Sequence, residues 1–438
     1  MPPEQVRPEP PPGPEQPKAP AEPGLLAKLG PGLITGAADD DPSGIATYSQ
    51  GGAQFGYNIA WTVLFTYPLM VGIQLASARI GRVTGKGLTE NFQRLFPAWL
   101  VFGLTALLAA ANIINIGADL NAMGDAAALV IGGTGAWYAA GFGIVSLLLQ
   151  VFIPYRSYVR VLKWLTLSLL AYVGVAFVAH VDWPYALGHA VWPSITWSKE
   201  YAITVVAILG TTISPYLFFW QAEQEVEEIK RVAEDKPLRI APAQVAQQYR
   251  RIKLDTYIGM AFSNGIAFFM IVATAATLNA HGITNIATTA QAALALEPIA
   301  GHAATLLFAM GVIGTGMLAV PVLAGSAAYA IGALLRVRRG LDLQFGAARA
   351  FYAILGAAVL LGMVISLAGL DPIKALYLSA VINAVISVPI MVAVMLTATS
   401  AKVMKSLALS WKWRVIGWAA TAAMALATGV MFWAMATG

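Results

Sequence analysis

The sequence predicts an all-α integral membrane protein of about eleven transmembrane helices, arranged as an inverted repeat of five plus five in which the first and sixth helices are broken. Three observations carry this expectation. Of 438 residues, 58% are hydrophobic and only 11% charged, more apolar surface than one soluble core buries. That surface falls into runs long enough to cross a bilayer, whose hydrocarbon core of about 30 Å takes roughly 20 helical residues. Two of the runs, five apart, are interrupted by proline.

Residues 1–24 are rich in Pro, Glu and Gln, contain no run that would serve as a signal peptide, and read as a disordered cytoplasmic tail. Residues 25–438 form the transmembrane domain. Runs at 27–50, 56–78, 99–123, 131–153 and 159–180 make a first five-helix repeat spanning 27–180. Runs at 200–222, 252–279, 301–334, 350–369 and 374–399 make a second spanning 200–399, and an additional helix covers 413–436. With the tail inside, all but two of the 27 Lys and Arg residues, Lys199 and Lys374, fall on the inner side. This asymmetry predicts a multi-pass protein of the plasma membrane with a cytoplasmic N-terminus and an extracytoplasmic C-terminus. The twelve tryptophans, among them Trp61, Trp183, Trp192 and Trp411, cluster near run ends and read as interfacial anchors. His180, His189, His281 and His302 fall at outer loops.

Composition also excludes chemistry. Zero cysteines leaves no disulfides, thiolate ligands or thiol nucleophiles, so a metal would rest on oxygen, nitrogen or thioether groups. The net charge of +5 sits in loops between apolar runs and reports topology, not nucleic-acid binding. Nothing pairs a nucleophile with a base, so no enzyme, catalytic residue or cofactor is expected. The lipid bilayer is the expected environment, and no obligatory protein partner is evident.

The first run contains Thr35-Gly-Ala-Ala-Asp-Asp-Asp-Pro-Ser-Gly-Ile-Ala-Thr47. One charge near mid-membrane costs at least about 2.5 kcal/mol, so Asp39, Asp40 and Asp41 together point to a site. Pro42 removes a backbone donor and disfavours helical geometry at Asp41, freeing carbonyls from Ala38 to Asp41. Free carbonyls beside a carboxylate attract a cation. The sixth run contains Gly210-Thr-Thr-Ile-Ser-Pro-Tyr-Leu-Phe-Phe-Trp220, interrupted at Pro215. Paired interruptions five runs apart indicate an inverted-repeat transporter with its substrate held between them near the midplane. The alternative at Pro215 is a simple proline kink.

Gly30-Pro31-Gly32 leading into Asp41-Pro42-Ser43-Gly44, then Gly52-Ala-Gln-Phe-Gly-Tyr57 and Gln74-Leu-Ala-Ser-Ala-Arg-Ile-Gly-Arg-Val-Thr-Gly85, resemble the natural resistance-associated macrophage protein (NRAMP) family. The resemblance is dense over residues 30–90 and recognisable through the seventh run. It implies a LeuT-type fold and, for usual members, proton-coupled import of manganese and iron at a site of Asp-Pro-Gly-Asn and Met-Pro-His. Asp41 matches the metal-binding aspartate. Gly44 stands where the family has an asparagine ligand, Ser214 where it has methionine, and Thr211 where it has the alanine whose carbonyl binds metal. Tyr216 and Gln221 stand where it has histidines, and Ala122 replaces a glutamate of its proton route, while Asp119 matches an aspartate there.

A thioether favours late transition metals, whereas carboxylate, hydroxyl and carbonyl oxygens suit hard cations. Short side chains at 44 and 214 suit an ion that keeps several waters, as magnesium does. The resemblance is therefore to the NRAMP-related magnesium transporter branch. The expected metal site is Asp41, Thr211, Ser214, Gly44 and Ala38, with Asp39, Asp40, Asp119, Tyr216 and Gln221 along the ion path. The expected substrate is Mg2+, with Mn2+ also carried, by alternating access without proton coupling. Two alternatives stay open: a proton-coupled Mn2+/Fe2+ importer, and a carrier of amino acids or other organic substrates on the same fold. Asp39 and Asp40 either extend the negative field or are protonated and structural. Asp255, Asn264 and Asn383 read as interhelical hydrogen-bonding groups, and the run Glu223-Gln-Glu-Val-Glu-Glu228 as a solvated helix extension.

Overall fold

The computed structural model describes residues 35–36, 39–153, 157 and 165–437. The expected tail at 1–24, the start of the first run and much of the fifth lie outside the described residues. The principal helices are α1 (Pro42–Phe55), α2 (Trp61–Thr84), α3 (Leu88–Leu95), α4 (Ala98–Ile131), α5 (Gly135–Phe152), α6 (Leu170–Val178) and α7 (Trp183–Val191). They continue with α8 (Lys199–Thr212), α9 (Pro215–Arg231), α10 (Val245–Thr277), α11 (Ala304–Leu334), α12 (Arg349–Ser366), α13 (Pro372–Thr399) and α14 (Trp411–Thr437). Among the described residues nine helical segments are long and apolar enough to cross a membrane, with α8 and α9 counted together. The two expected spans missing from that number are those only partly described. α6 turns into α7 through a 118° bend, which brings the start of α7 at Trp183 beside Phe177.

The packing repeats with a period of five spans. α1, the second half of span one, packs on α10 of span seven, as α9, the second half of span six, packs on α2 of span two. α4 packs on α5 as α11 packs on α12, and α4 packs on α11 across the centre. Renumbering each span by five leaves these pairings unchanged. Both of the first two contacts are close backbone approaches at glycine. A Cβ on Gly52 of α1 would lie 2.4 Å from the Ile271 carbonyl oxygen of α10, and one on Gly81 of α2 would lie 2.2 Å from that of Ala222 on α9. Small residues at helix crossings let backbones meet in this way where no hydrophobic force operates between apolar helices in lipid.

The two breaks share one grammar. Asp41 (φ −73°, ψ 171°) and Ser214 (φ −81°, ψ 135°) are extended N-cap residues, each followed by proline at the first helical position. Proline fits there because its missing N–H would have been unsatisfied anyway. α8 ends at Thr212, immediately before the second break, so its C-terminal carbonyls present the negative end of a helix dipole there.

Candidate metal site

Asp41 is 1% exposed, held between α4 and α9. Its Oδ1 accepts hydrogen bonds from the Ser43 hydroxyl (2.6 Å) and the Gly44 N–H (2.8 Å). Its Oδ2 accepts from Asn115 Nδ2 of α4 (3.1 Å) and the Tyr216 hydroxyl of α9 (3.2 Å). Both break segments therefore converge on one carboxylate. Ser43 Oγ and Thr211 Oγ1 stand 3.5 Å apart, and Tyr48 shares a 3.0 Å hydrogen bond with Thr212 across the same gap. Gly44 faces this gap: a Cβ there would lie 3.3 Å from the Tyr48 ring and 3.4 Å from Thr211 Oγ1. A longer side chain at 44 would need one of them to move.

The carbonyls that the proline break releases in span six are taken up by hydroxyls. Ser214 Oγ is turned back onto the carbonyls of Gly210 (2.8 Å) and Thr211 (2.9 Å), and Ser387 of α13 donates to Ile213 O (2.9 Å). Ser214 thus sits at the break with its hydroxyl engaged by the helix. Ala38 lies outside the described residues. Asp39 and Asp40 gather instead on α10, where the Ser263 hydroxyl reaches Asp39 Oδ2 (2.5 Å) and Asp40 Oδ1 (3.1 Å). Gln221 accepts from Thr35 Oγ1 (2.6 Å), tying α9 to the first half of span one.

Several buried acceptors have no donor among the described residues: Asn115 Oδ1, both oxygens of Asp119, Asp39 Oδ1 and Asp40 Oδ2. Asp119 lies one helical turn beyond Asn115 on α4. Buried polar groups are nearly always paired, so this accumulation of unpaired oxygen around Asp41 is what a cation or its water shell would satisfy. Among the described residues, no three His, Asp or Glu side chains form a ready-made ligand cluster. The groups in direct contact with Asp41 are hydroxyl, amide and backbone groups, not further carboxylates.

Asn115 and Ser43 were missed from sequence. The signal for Asn115 was present, since Asn112, Asn115 and Asp119 recur along one face of an otherwise apolar helix. Two secondary readings are corrected. Asn264 bonds across helices to Thr66 and Met70 as expected, but Asn383 is buried with neither amide atom hydrogen-bonded among the described residues, one turn from Ser387. The glutamate run is not solvated: Glu223, Glu225 and Glu227 are 2%, 0% and 6% exposed. α2, α11 and α13 cover α9, so these carboxylates meet neighbouring cations. Glu225 pairs with Arg251 of α10, Glu227 with Lys230 (3.1 Å), and Glu223 lies 4.0 Å from Arg339.

The family model for natural resistance-associated macrophage protein-like proteins matches residues 32–434. The chain belongs to the NRAMP family. Among NRAMP relatives, the divalent metal cation transporter MntH of Klebsiella pneumoniae is 27% identical over 409 residues, covering 91% of each chain. The protein of the same name from Yersinia enterocolitica is 27% identical over 299 residues, 67% of this chain and 69% of that one. The solved manganese transporter of Eremococcus coleocola superposes with a TM-score of 0.73 at 17% identity, over 92% of this chain and 85% of that one. Mhp1, a nucleobase-cation-symport-1 family transporter, superposes with a TM-score of 0.57 at 12% identity, over 94% and 93%. The NRAMP chain therefore has the LeuT-type fold, with its broken helices at Asp41-Pro42 and Ser214-Pro215.

Proposed function

We propose that this NRAMP protein imports divalent metal ions, Mg2+ foremost and Mn2+ as well, by alternating access around Asp41 and without proton coupling. The class of substrate is supported by the relatives named as divalent metal cation transporters and by the structural neighbour named as a manganese transporter. The choice of ion rests on one observation. Asp41 is surrounded by hydroxyl, amide and backbone groups, with unpaired oxygens close by and, among the described residues, no imidazole or thioether as a hydrogen-bond partner. Oxygen donors suit hard cations, and a site offering one carboxylate suits an ion that retains much of its hydration. A membrane potential of 100 mV adds about 4.6 kcal/mol to the influx of a doubly charged ion.

Proteoliposome uptake tests this directly. Wild-type protein should carry Mg2+ and Asp41→Ala should not, while a lumenal pH dye stays silent. Undiminished uptake by the variant removes the site from consideration. The second reading, proton-coupled Mn2+ or Fe2+ import, is favoured by Asp119, a buried carboxylate with neither oxygen hydrogen-bonded. Metal-driven acidification that vanishes in Asp119→Asn would establish it in place of the first.

A further inference from the structure

Where α2 and α11 end, on the side to which basic residues are concentrated, α3 and the segment after α11 line a solvent-open cleft of about 410 Å3. Its volume is within the range of small-molecule sites. Four cationic side chains line it, Lys86, Arg94, Arg336 and Arg339, with Glu90 and Gln93. The single carboxylate is already shared, by Lys86 Nζ at 3.4 Å and Arg339 Nη2 at 2.5 Å. Arg94 and Arg336 carry no side-chain hydrogen bond or ion pair among the described residues.

Topology accounts for basic residues in loops on this side. It does not account for four around one cleft, nor for the backbone at Arg336. The Arg336 N–H donates to Ala333 O (3.2 Å) and the Val337 N–H to Gly332 O (3.0 Å), the pair of bonds that closes a helix with a left-handed residue. Arg336 is that residue, with φ of 58°. Glycine is the usual occupant, because a Cβ opposes this conformation. An arginine thus holds a glycine position at the rim of this cleft, its exposed side chain beside three other cations.

We propose that this cleft binds a phosphate-bearing anion, gripped by Arg94, Arg336 and Arg339 with Lys86 as a further charge. Guanidinium groups bind phosphate oxygens in a two-pronged geometry, and the excess of cation over carboxylate supplies the attraction. Arg339 also stands 4.0 Å from Glu223 on α9, so an anion here competes for a side chain that touches the helix carrying Tyr216.

The test uses the full chain in phosphatidylcholine nanodiscs, titrated calorimetrically with sodium triphosphate in the presence of EDTA. A parallel arm measures retention of phosphatidylglycerol by native mass spectrometry. Saturable binding in either arm is expected, weakened at least tenfold by Arg94→Gln and by Arg336→Gly, and kept within threefold by Arg336→Lys. Arg336→Gly is the informative variant, because it removes the charge while giving the backbone the residue it favours, so lost binding is not misfolding. Binding in the first arm identifies a soluble phosphate as the source, and binding only in the second a lipid headgroup. No saturable binding in either arm, or equal binding by wild type and the charge-removing variants, overturns the proposal.

Discussion

Replacing Asp41 with asparagine separates two roles that the residue combines. As N-cap of α1 it accepts the Gly44 N–H at 2.8 Å, and asparagine caps a helix as well as aspartate does. Alanine would lose that cap, at about 1 kcal/mol, so its effect on transport would mix folding with binding. Asparagine keeps the cap and loses the charge, with its amide nitrogen replacing the oxygen that accepts from Asn115 and Tyr216. Two unit charges about 4 Å apart interact by about 4 kcal/mol at an effective dielectric constant near 20, which makes about 8 kcal/mol for a divalent ion facing one carboxylate. Retained hydration water weakens this, and a third of it, about 2.7 kcal/mol, still corresponds to roughly 100-fold in affinity. The assay is Mg2+ uptake into proteoliposomes followed by an internal dye, with thermal unfolding in detergent as a control. The half-saturating concentration should rise at least 100-fold while the melting temperature stays near that of wild type. Half-saturation within threefold of wild type would show that the carboxylate charge does not hold the ion, and the ligand argument would fail.

Three other substitutions probe separate parts of the structure. Ser214→Met removes the hydroxyl that covers the Gly210 and Thr211 carbonyls and adds a soft ligand, so competition uptake should shift from Mg2+ toward Mn2+ or Cd2+; an unchanged ratio refutes the selectivity argument. Arg251→Ala leaves Glu225 buried without its partner, which should cost about 3–5 kcal/mol and lower the melting temperature, with Glu225→Leu in the same chain restoring much of the loss. Gly81→Ala places a Cβ 2.2 Å from the Ala222 carbonyl oxygen, and overpacking of about 1–3 kcal/mol should appear in the same melt.

Much of the fold was legible because lipid imposes one strong rule: backbone polar groups must be paired within the span, so long apolar runs are helices. The breaks were legible for the complementary reason. Asp-Pro and Ser-Pro inside such runs violate the rule, and a violation that persists marks a site. What could not be read was which groups from other spans reach the break. Asn115 meets Asp41 because α4 crosses span one at that height, a fact of three-dimensional packing rather than local pattern. Ser387 likewise caps Ile213 from a helix 174 positions away. The glutamate run was misread because its sequence, four carboxylates in six residues, is that of an exposed helix. Burial came from α2, α11 and α13 closing over it, with Arg251 and Arg339 supplied by segments whose basic residues had been assigned to topology alone.

That burial bears on how the chain could move. At one end α9 is joined to span one through Tyr216 and Asp41 and through Gln221 and Thr35. Toward its other end it is held by ion pairs to α10 and to the segment after α11, while Arg82 of α2, fully buried, reaches Asp235 at 2.5 Å beyond α9. A buried ion pair adds little net stability compared with apolar groups of the same shape, yet removing one partner is costly. Opening this end to water is a different process, because both partners become hydrated together and the desolvation cost is returned. Ion pairs therefore resist loss of a partner but yield to a concerted rigid-body motion that hydrates both partners together. Contacts toward the opposite end include neutral bonds: Thr204 to Tyr377 at 2.7 Å, Gln50 to the Thr284 carbonyl and the Ile286 N–H, and Asn279 to the Ala53 carbonyl at 2.8 Å. The contacts at the two ends of α9 and α1 therefore differ in chemistry although the helix pairings that build them repeat with a period of five spans, so the repeat in packing does not carry over to the side chains.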